Sequence, residues 1–144
     1  MNIKRLVESI KFEEGNRDYP YQDTKGIWTI SYGFTSVNGV KVSHYTPRLT
    51  DYEVMMCLYD HIFKALNIAM RYVSNFCELS DLRQEVLINM CYQMGARVLN
   101  FTKTKMYIEQ RNFDKASEEM LDSDWFRIDS PNRAKRMSEN FKNG

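Results

Sequence analysis

Long apolar runs are absent from this sequence of 144 residues. The N-terminal segment, MNIKRLVESIKFEEG, carries a charged residue every few positions. It has no uninterrupted apolar stretch of the roughly seven or more residues that a secretory signal requires, and it falls well short of the ~20 that cross a membrane. We therefore expect a chain that begins in a cytoplasm and has no membrane as a partner.

The sequence also has no excess of one charge. It contains 20 basic and 19 acidic residues, which gives a formal net charge of +1. This balance gives no reason to expect nucleic acid as a partner. The three cysteines and two histidines show no metal-ligand or redox spacing, and no Gly-rich phosphate loop is present. We expect neither a metal nor a cofactor, and we interpret Cys57, Cys77 and Cys91 as buried thiols in apolar helices.

No linker, internal repeat or low-complexity tract divides the chain, so residues 1–144 are predicted to form one domain. The composition, 43% hydrophobic and 27% charged, is that of a globular protein, and the length is enough to bury a core without disulfides or a metal. Methionines at helical positions are interpreted as adaptable core packing, among them Met55, Met56, Met70, Met90 and Met94.

The first third of the chain changes from helical to extended patterning. Apolar residues at helical spacing predict a short N-terminal helix that stops near Gly15; they are Ile3, Leu6, Val7 and Ile10. From Tyr19 to about His44, aromatic and β-branched runs alternate with turn residues, and Asn38-Gly39 is a strong hairpin signal. A small antiparallel sheet is predicted there.

The rest of the chain is predicted to be helical. Thr50-x-x-Glu53 has the form of a capping box, and the apolar periodicity behind it predicts one long helix over residues 50–75. The predicted fold class is α+β, mainly α, with two lobes. A small lobe with an antiparallel sheet (1–49) and a helical lobe (76–144) are joined by the long helix, and a cleft between them would admit an extended polymer.

Three side chains that suit glycoside hydrolysis lie in the stretch EEGNRDYPYQDTKGIWTISYGF. Glu14 ends the first helix, Asp23 opens a turn and Thr29 lies on the following strand, so the three can converge. The reaction needs one protonated carboxyl group for the leaving oxygen and one ionised carboxyl group to activate water or attack the sugar. A simpler interpretation stays open for each alone: a helix-end charge, a turn residue and a strand hydroxyl.

Together with their neighbours, these residues form a recognisable pattern. Glu-Gly, eight residues between Glu14 and Asp23, Asp-x-x-Gly and Thr-Ile-x-x-Gly resemble the catalytic signature of the phage-type lysozymes, glycoside hydrolase family 24. Further stretches resemble downstream motifs of that family: Asn89 to Gly95, Phe101-Thr102 and Trp125 to Arg136. The resemblance therefore covers nearly the whole chain.

The resemblance implies a muramidase that cleaves the β-1,4 bond between N-acetylmuramic acid and N-acetylglucosamine of peptidoglycan with inversion. Glu14 would be the general acid, while Asp23 and Thr29 would position or activate the attacking water. An inverting geometry predicts carboxyl groups roughly 6.5 to 9.5 Å apart. Arg133 matches the family arginine that pairs with the catalytic glutamate, and the alternative for it is a surface cation in a basic helix.

Five further residues match positions that bind substrate in the family: Thr35, Tyr92, Gln93, Thr104 and Glu119. Glu119 stands where relatives often carry an amide. Three aromatic residues are candidates for stacking on sugar rings, namely Trp28, Tyr32 and Trp125. Aromatic residues at strand or helix spacing are more often part of a core, so both interpretations stay open.

Two residues depart from the family pattern. Ser31 stands where relatives usually have glycine, and Phe34 where they usually have a histidine that links to an acidic residue of the long helix. The matching place on that helix is Asp60 or His61, depending on a one-residue shift of the alignment. Replacing a whole buried ion pair by other packing can be nearly neutral, so we expect stability to be kept.

The expected function is that of an endolysin. It would be a monomer that acts on the peptidoglycan glycan strand, stays in the host cytoplasm, and reaches the periplasm and cell wall through a separate holin-like pore protein. Two alternatives stay open. Ser31 and Phe34 suggest a relative with weakened or lost catalysis that serves as a peptidoglycan-binding or virion structural module. A transglycosylating relative would leave an anhydro end, against which Asp23 argues as a water-activating base.

Overall fold

A computed structural model describes the chain over residues 1–144. The helices are α1 (Ile3–Glu14), α2 (Asp51–Tyr72), α3 (Asp81–Met94), α4 (Thr102–Glu109), α5 (Phe113–Leu121) and α6 (Pro131–Asn143). Short antiparallel strands are β1 (Arg17–Gln22), β2 (Trp28–Ser31), β3 (Ser36–Val37) and β4 (Val40–Lys41). The predicted fold class, α+β and mainly α, is confirmed.

The chain divides into two compact units. One unit consists of Lys4–Lys64, and the other of Met1–Ile3 together with Ala65–Gly144. The boundary therefore lies inside α2, within the range 50–75 that the sequence assigns to a long helix. The first unit contains both sheets, and the second is built from helices alone.

The capping box predicted at the start of α2 is confirmed. Thr50 Oγ1 accepts a hydrogen bond from Glu53 N, and Glu53 Oε1 accepts one from Thr50 N, both at 3.1 Å. These bonds satisfy two backbone N–H groups of the first turn, which have no partner within the helix. The helix then runs for 22 residues; neither it nor any other helix is long and apolar enough to cross a membrane.

The hairpin predicted at Asn38-Gly39 is also confirmed. It joins β3 to β4, with Val37 paired to Val40. Asn38 and Gly39 have φ angles of 51° and 77°. Two consecutive positive φ angles are what the tight hairpin turn of this type requires, and asparagine and glycine tolerate them best.

The end of β2 is a tight turn that contains one of the two departures from the family pattern. Ile30 and Phe34 exchange two backbone hydrogen bonds of 2.9 Å, which closes the turn. Ser31 adopts a φ of 57°, a left-handed conformation that a residue with a Cβ rarely takes. Its hydroxyl donates to Asn16 Oδ1 at 3.2 Å. The usual glycine of relatives is therefore explained by the backbone, and serine is accommodated at some conformational cost.

The helical unit is organised around α3. Seven consecutive residues of this helix, from Glu85 to Cys91, are buried, so it has no solvent face in that stretch. Ser80 caps its start by accepting a hydrogen bond from Arg83 N at 3.3 Å, and Gly95 ends it with a φ of 57°. Helix α6 packs against both α3 and α5.

Two sequence interpretations need correction. Cys57 and Cys91 are buried as expected, but Cys77 is exposed, and it lies in a short 3-10 turn instead of an apolar helix. The methionines that the sequence assigns to the core also fall into a buried group and an exposed group. Met90 and Met94 are buried in α3, whereas three on α2 are about half exposed, namely Met55, Met56 and Met70. Helical periodicity identifies apolar faces but does not say which faces the rest of the fold covers.

Candidate active site

Glu14 is the last residue of α1. The helix ends there because Gly15 takes a φ of 65°, and its N–H donates to Lys11 O at 3.1 Å, a typical C-terminal glycine cap. The Glu14 carboxylate is half-buried and packs against the backbone of Gly33. A Cβ added to Gly33 would lie 3.0 Å from Glu14 Cδ and closer still to Oε2. The close approach of this backbone therefore fixes the position of the carboxylate.

Asp23 and Thr29 both bond to the backbone of Ile27. Asp23 Oδ1 accepts hydrogen bonds from Ile27 N at 2.9 Å and from Lys25 N at 2.8 Å. The Thr29 hydroxyl donates to Ile27 O at 2.9 Å, and the same carbonyl accepts from Asp23 N. Both side chains are thus tied to the backbone of one residue, Ile27. Asp23 Oδ2 receives neither of these bonds.

Tyr21 lies opposite Thr29 in the β1–β2 ladder. Its ring carries the Arg17 guanidinium 4.2 Å from the ring centroid. The pKa of the Tyr21 phenol is raised, chiefly because the side chain is partly buried; Arg17 opposes this shift, and the charges of Glu14 and Asp23 add to it. Tyr21 is therefore within electrostatic reach of both candidate carboxylates.

Phe34 stacks on His61, with ring centroids 5.0 Å apart and an angle of 27° between the planes. The structure therefore places His61, not Asp60, beside the position where relatives have a strand histidine. Asp60 instead pairs with Lys64 at 2.8 Å on the surface, and the hydrogen bond from Lys64 lowers the pKa of its carboxyl. His61 Nδ1 lies 2.7 Å from Cys57 O, so this nitrogen carries a proton and donates.

Arg133 is buried, with 6% of its surface exposed, so the interpretation as a surface cation is wrong. Its guanidinium donates to Asn89 Oδ1 at 3.0 Å from Nε and 2.7 Å from Nη2. These two bonds to a single amide oxygen hold the guanidinium against α3. Its pairing with the catalytic glutamate stays a prediction.

The five expected substrate-binding residues fall in different surroundings. Thr35 is exposed after β2. Thr104 and Glu119 line one cavity of about 490 Å³ in the helical unit, so the structure brings these two together. Gln93 has a structural contact that the sequence does not suggest: it accepts from Trp125 Nε1 at 2.8 Å and donates to Ser130 Oγ at 2.7 Å. Tyr92 is half-buried beside it.

The three candidate catalytic residues lie in the same unit, Lys4–Lys64, as does Thr35. The remaining candidates belong to the other unit: Tyr92, Gln93, Thr104, Glu119 and Arg133. No group of three or more His, Cys, Asp or Glu side chains is placed to hold a metal ion. Of the aromatic candidates, Trp125 is buried in the core, while Trp28 and Tyr32 are partly exposed.

Sequence reasoning missed the stacking of the Arg17 guanidinium on the Tyr21 ring. Their four-residue spacing on β1 was a usable signal, since residues four apart on a strand lie on one face. Pro20 weakens that signal because a proline disturbs the ladder, and the register does shift between Arg17 and Tyr21.

Comparisons with known proteins find similarity over most of the chain. A family model described as Phage lysozyme matches residues 11–135. The chain is 27% identical to Probable T4-type lysozyme 1 of Dictyostelium discoideum over 168 aligned positions, which cover 99% of this chain and 96% of the relative. It is 26% identical to Probable T4-type lysozyme 2 of the same organism, with the same shares covered.

Proposed function

Because this chain belongs to the phage lysozyme family, we propose that it hydrolyses the β-1,4 bond between N-acetylmuramic acid and N-acetylglucosamine in bacterial peptidoglycan. The observation that carries the proposal is the pair of hydrogen bonds by which the backbone N–H and C=O of Ile27 hold the side chains of Asp23 and Thr29. Glu14 lies in the same compact unit and is set against Gly33. Two carboxyl groups that flank the scissile bond are the chemical requirement of this kind of glycoside hydrolysis, and a nearby hydroxyl can help to hold the attacking water.

Each of the three side chains has a defined role in the proposed reaction. Glu14 starts protonated and gives its proton to the leaving glycosidic oxygen. Asp23 is ionised and removes a proton from a water molecule through Oδ2, the oxygen that accepts neither of the turn's hydrogen bonds. Thr29 has committed its own hydrogen to Ile27 O, so its lone pairs can accept a hydrogen from that water and orient it.

The attack of a placed water on the opposite face of the sugar inverts the anomeric carbon. We therefore expect the N-acetylmuramic acid end released from soluble peptidoglycan fragments to be the α-anomer. Proton NMR within the first minutes, before mutarotation, measures this. Release of the β-anomer would contradict the water-activating role of Asp23.

Mass analysis of the same products separates hydrolysis from the transglycosylating alternative. Hydrolysis adds one water to each cleaved bond, whereas transglycosylation leaves an anhydro end that is lighter by that water. We expect hydrated ends only. A population of anhydro ends would reject the hydrolase mechanism while leaving cleavage of the glycan intact.

A second candidate function is a wall-binding module with weakened catalysis. The observation that favours it is the change beside the site, where Phe34 is fully buried and stacks on His61. An apolar ring has replaced the imidazole that relatives carry on the strand. Co-sedimentation with purified peptidoglycan, without release of soluble fragments by a folded protein, would support this candidate.

The cellular role is a separate part of the proposal. We propose that the chain acts as a monomer, accumulates in the cytoplasm of an infected bacterium, and reaches the peptidoglycan after a holin-like protein opens the inner membrane. The two similar proteins named above come from an amoeba, so enzymatic activity alone does not imply this role. Expression in bacteria with and without a pore protein tests it, because only co-expression should lyse the culture.

A further inference from the structure

Helix α2 carries an apolar stripe on its solvent-exposed face, within the unit Lys4–Lys64. Four large side chains form this stripe, and between 47% and 67% of the surface of each is exposed: Tyr52, Met56, Tyr59 and Phe63. The buried side of the same helix is formed by other residues, among them Cys57, Leu58 and Ile62. The stripe therefore lies outside the core, and a contiguous exposed row of this kind marks an interaction surface.

The spacing within the stripe indicates what kind of surface covers it. Its residues follow one another at intervals of four, three and four positions along α2. Alternating intervals of three and four positions place side chains in one row along a helix face, and this row is the seam by which two helices pack side by side. The spacing therefore points to a second helix as the occupant.

The order of the residues makes the stripe complementary to a second copy of itself in the antiparallel direction. When two α2 helices pair about a point between positions 57 and 58, Tyr52 of one copy lies level with Phe63 of the other. Met56 of one copy then lies level with Tyr59 of the other. Ring–ring and thioether–ring contacts are both favourable. A twofold axis produces each contact twice, as in most homodimers.

Charged side chains beside the stripe match in the same direction. The first turn of α2 is acidic, with Asp51 and Glu53, whereas Lys64 follows the stripe. An antiparallel pair brings Lys64 of one copy to the acidic first turn of the other, while a parallel pair would align the two acidic turns. Lys64 also pairs with Asp60 of its own helix at 2.8 Å, and an ammonium group has further donors for a partner. Charge therefore favours the antiparallel arrangement.

We propose that this stripe is the interface of a weak, symmetric homodimer in which two α2 helices pair in the antiparallel direction. With roughly 200 Å² of surface per large side chain, the exposed parts of the stripe bury on the order of 1,000 Å² in the pair. This area is at the low end for specific interfaces, so the dimer dissociates on dilution. The pairing is independent of the proposed catalysis, and the acting form in a dilute assay stays the monomer.

Sedimentation equilibrium of the full chain between about 5 and 500 µM, a range suited to weak association, tests the pairing. We expect the weight-average mass to rise from 17.1 kDa towards twice that value. The double variant Tyr52→Gln with Phe63→Gln removes the outer contacts and should stay at the monomer mass. Ile128→Gln removes a 71% exposed apolar residue outside α2 and should follow the wild type. Circular dichroism establishes that each variant is folded.

Two further variants test the direction of the pairing. Lys64→Glu brings a third acid to the acidic first turn of the partner and should weaken the association. For a disulfide trap, Cys77→Ser first removes the exposed native thiol. Chains with Tyr52→Cys and chains with Phe63→Cys are then mixed and gently oxidised. The antiparallel arrangement predicts disulfides between the two different chains, which mass spectrometry identifies after digestion.

A wild type that keeps the monomer mass at the highest concentration would overturn the proposal. Association of the double variant equal to that of the wild type would also overturn it, because the interface would then lie on another surface. Disulfides formed mainly between identical chains would reject the antiparallel direction. None of these outcomes depends on whether the chain cleaves peptidoglycan, so the pairing and the proposed function succeed or fail separately.

Discussion

At the scale of single residues, Gly33 makes the clearest prediction, because a methyl group there would meet the Glu14 carboxylate. We expect Gly33→Ala to displace Glu14 and reduce the rate of peptidoglycan cleavage by at least about tenfold, since a misplaced general acid loses much of its effect. Gly33 also has a φ of 77°, which should cost the variant roughly 1–2 kcal/mol of unfolding free energy.

Gly39→Ala is the matched control for this prediction. Gly39 has the same φ of 77°, but nothing lies within 4 Å of the position its Cβ would take. It should therefore lose a similar amount of unfolding free energy while keeping full activity. Equal activity losses in the two alanine variants, measured on folded protein, would show that strain and not the contact with Glu14 is responsible.

Single residues also mark where prediction from sequence stops. The motif around Glu14, Asp23 and Thr29 was visible because its spacing is fixed by a helix end, a turn and a strand. The partner of Phe34 was not, because Asp60 and His61 differ by one position and a helix turns about 100° per residue. Which of these two side chains faces the strand depends on how α2 is rotated about its own axis. The sequence alone does not give this rotation.

At the scale of elements, Gln93 links α3 to the helical turn that carries Trp125 and to the start of α6 at Ser130. We expect Gln93→Leu to lower the unfolding free energy by about 2 kcal/mol, because the buried indole N–H would lose its acceptor. Chemical denaturation measures this. Gln110→Leu, at the exposed end of α4, should change it by less than about 0.5 kcal/mol.

Equal stability of the wild type and Gln93→Leu would contradict a structural role for Gln93 and return it to the set of residues that serve substrate binding alone. The resemblance to the family implied only a role in substrate binding for this residue. The sequence could not reveal the structural role, because the hydrogen bonds of Gln93 connect it to residues 32 and 37 positions away in the chain.

Elements whose signals are local were predicted well. The capping box of α2 and the Asn38-Gly39 hairpin both depend on contacts within four residues, and both are present. The exposed face of α2 was not predicted. Its apolar residues have helical spacing whether or not another element covers them, so Met55 and Met56 were wrongly assigned to the core.

At the scale of the whole molecule, buried thiols predict a loss of stability at alkaline pH. Burial raises the pKa of Cys91 to about 12 and that of Cys57 to about 11, from 9.0 for an ordinary thiol. The unfolded chain therefore releases these protons first. The stabilising contribution of the two thiols is complete below about pH 9 and is lost progressively as the pH rises towards 11 to 12.

Denaturant titrations under reducing conditions between pH 8 and 11 measure this dependence. Because other groups also ionise in this range, the informative quantity is the difference from a variant that lacks both buried thiols, Cys57→Ala with Cys91→Ala. We expect the wild type to lose stability more steeply than this variant. Parallel pH curves would mean that the two thiols do not contribute.

The sequence predicted the class of the whole fold, because the family motifs extend along nearly the entire chain, and the roles that the same motifs assign to the candidate site residues stay a prediction. It did not show how the site is held. The bonds of the Ile27 backbone to Asp23 and Thr29, the Gly33 contact with Glu14 and the Arg17–Tyr21 stack all depend on backbone geometry and side-chain rotamers. These are set by packing, which residue spacing reflects only indirectly.

The central claim is that Glu14 is the essential acid of a cell-wall hydrolase. The most direct measurement is turbidity loss of chloroform-permeabilised Gram-negative cells with wild type, Glu14→Gln and the neighbouring control Glu13→Gln, all shown to be equally folded. We predict rapid clearing by the wild type and Glu13→Gln, and at least a hundredfold slower clearing by Glu14→Gln. Clearing by Glu14→Gln at the wild-type rate would contradict this claim. It would also be contradicted if none of the three folded proteins cleared the cells although they still sediment with peptidoglycan.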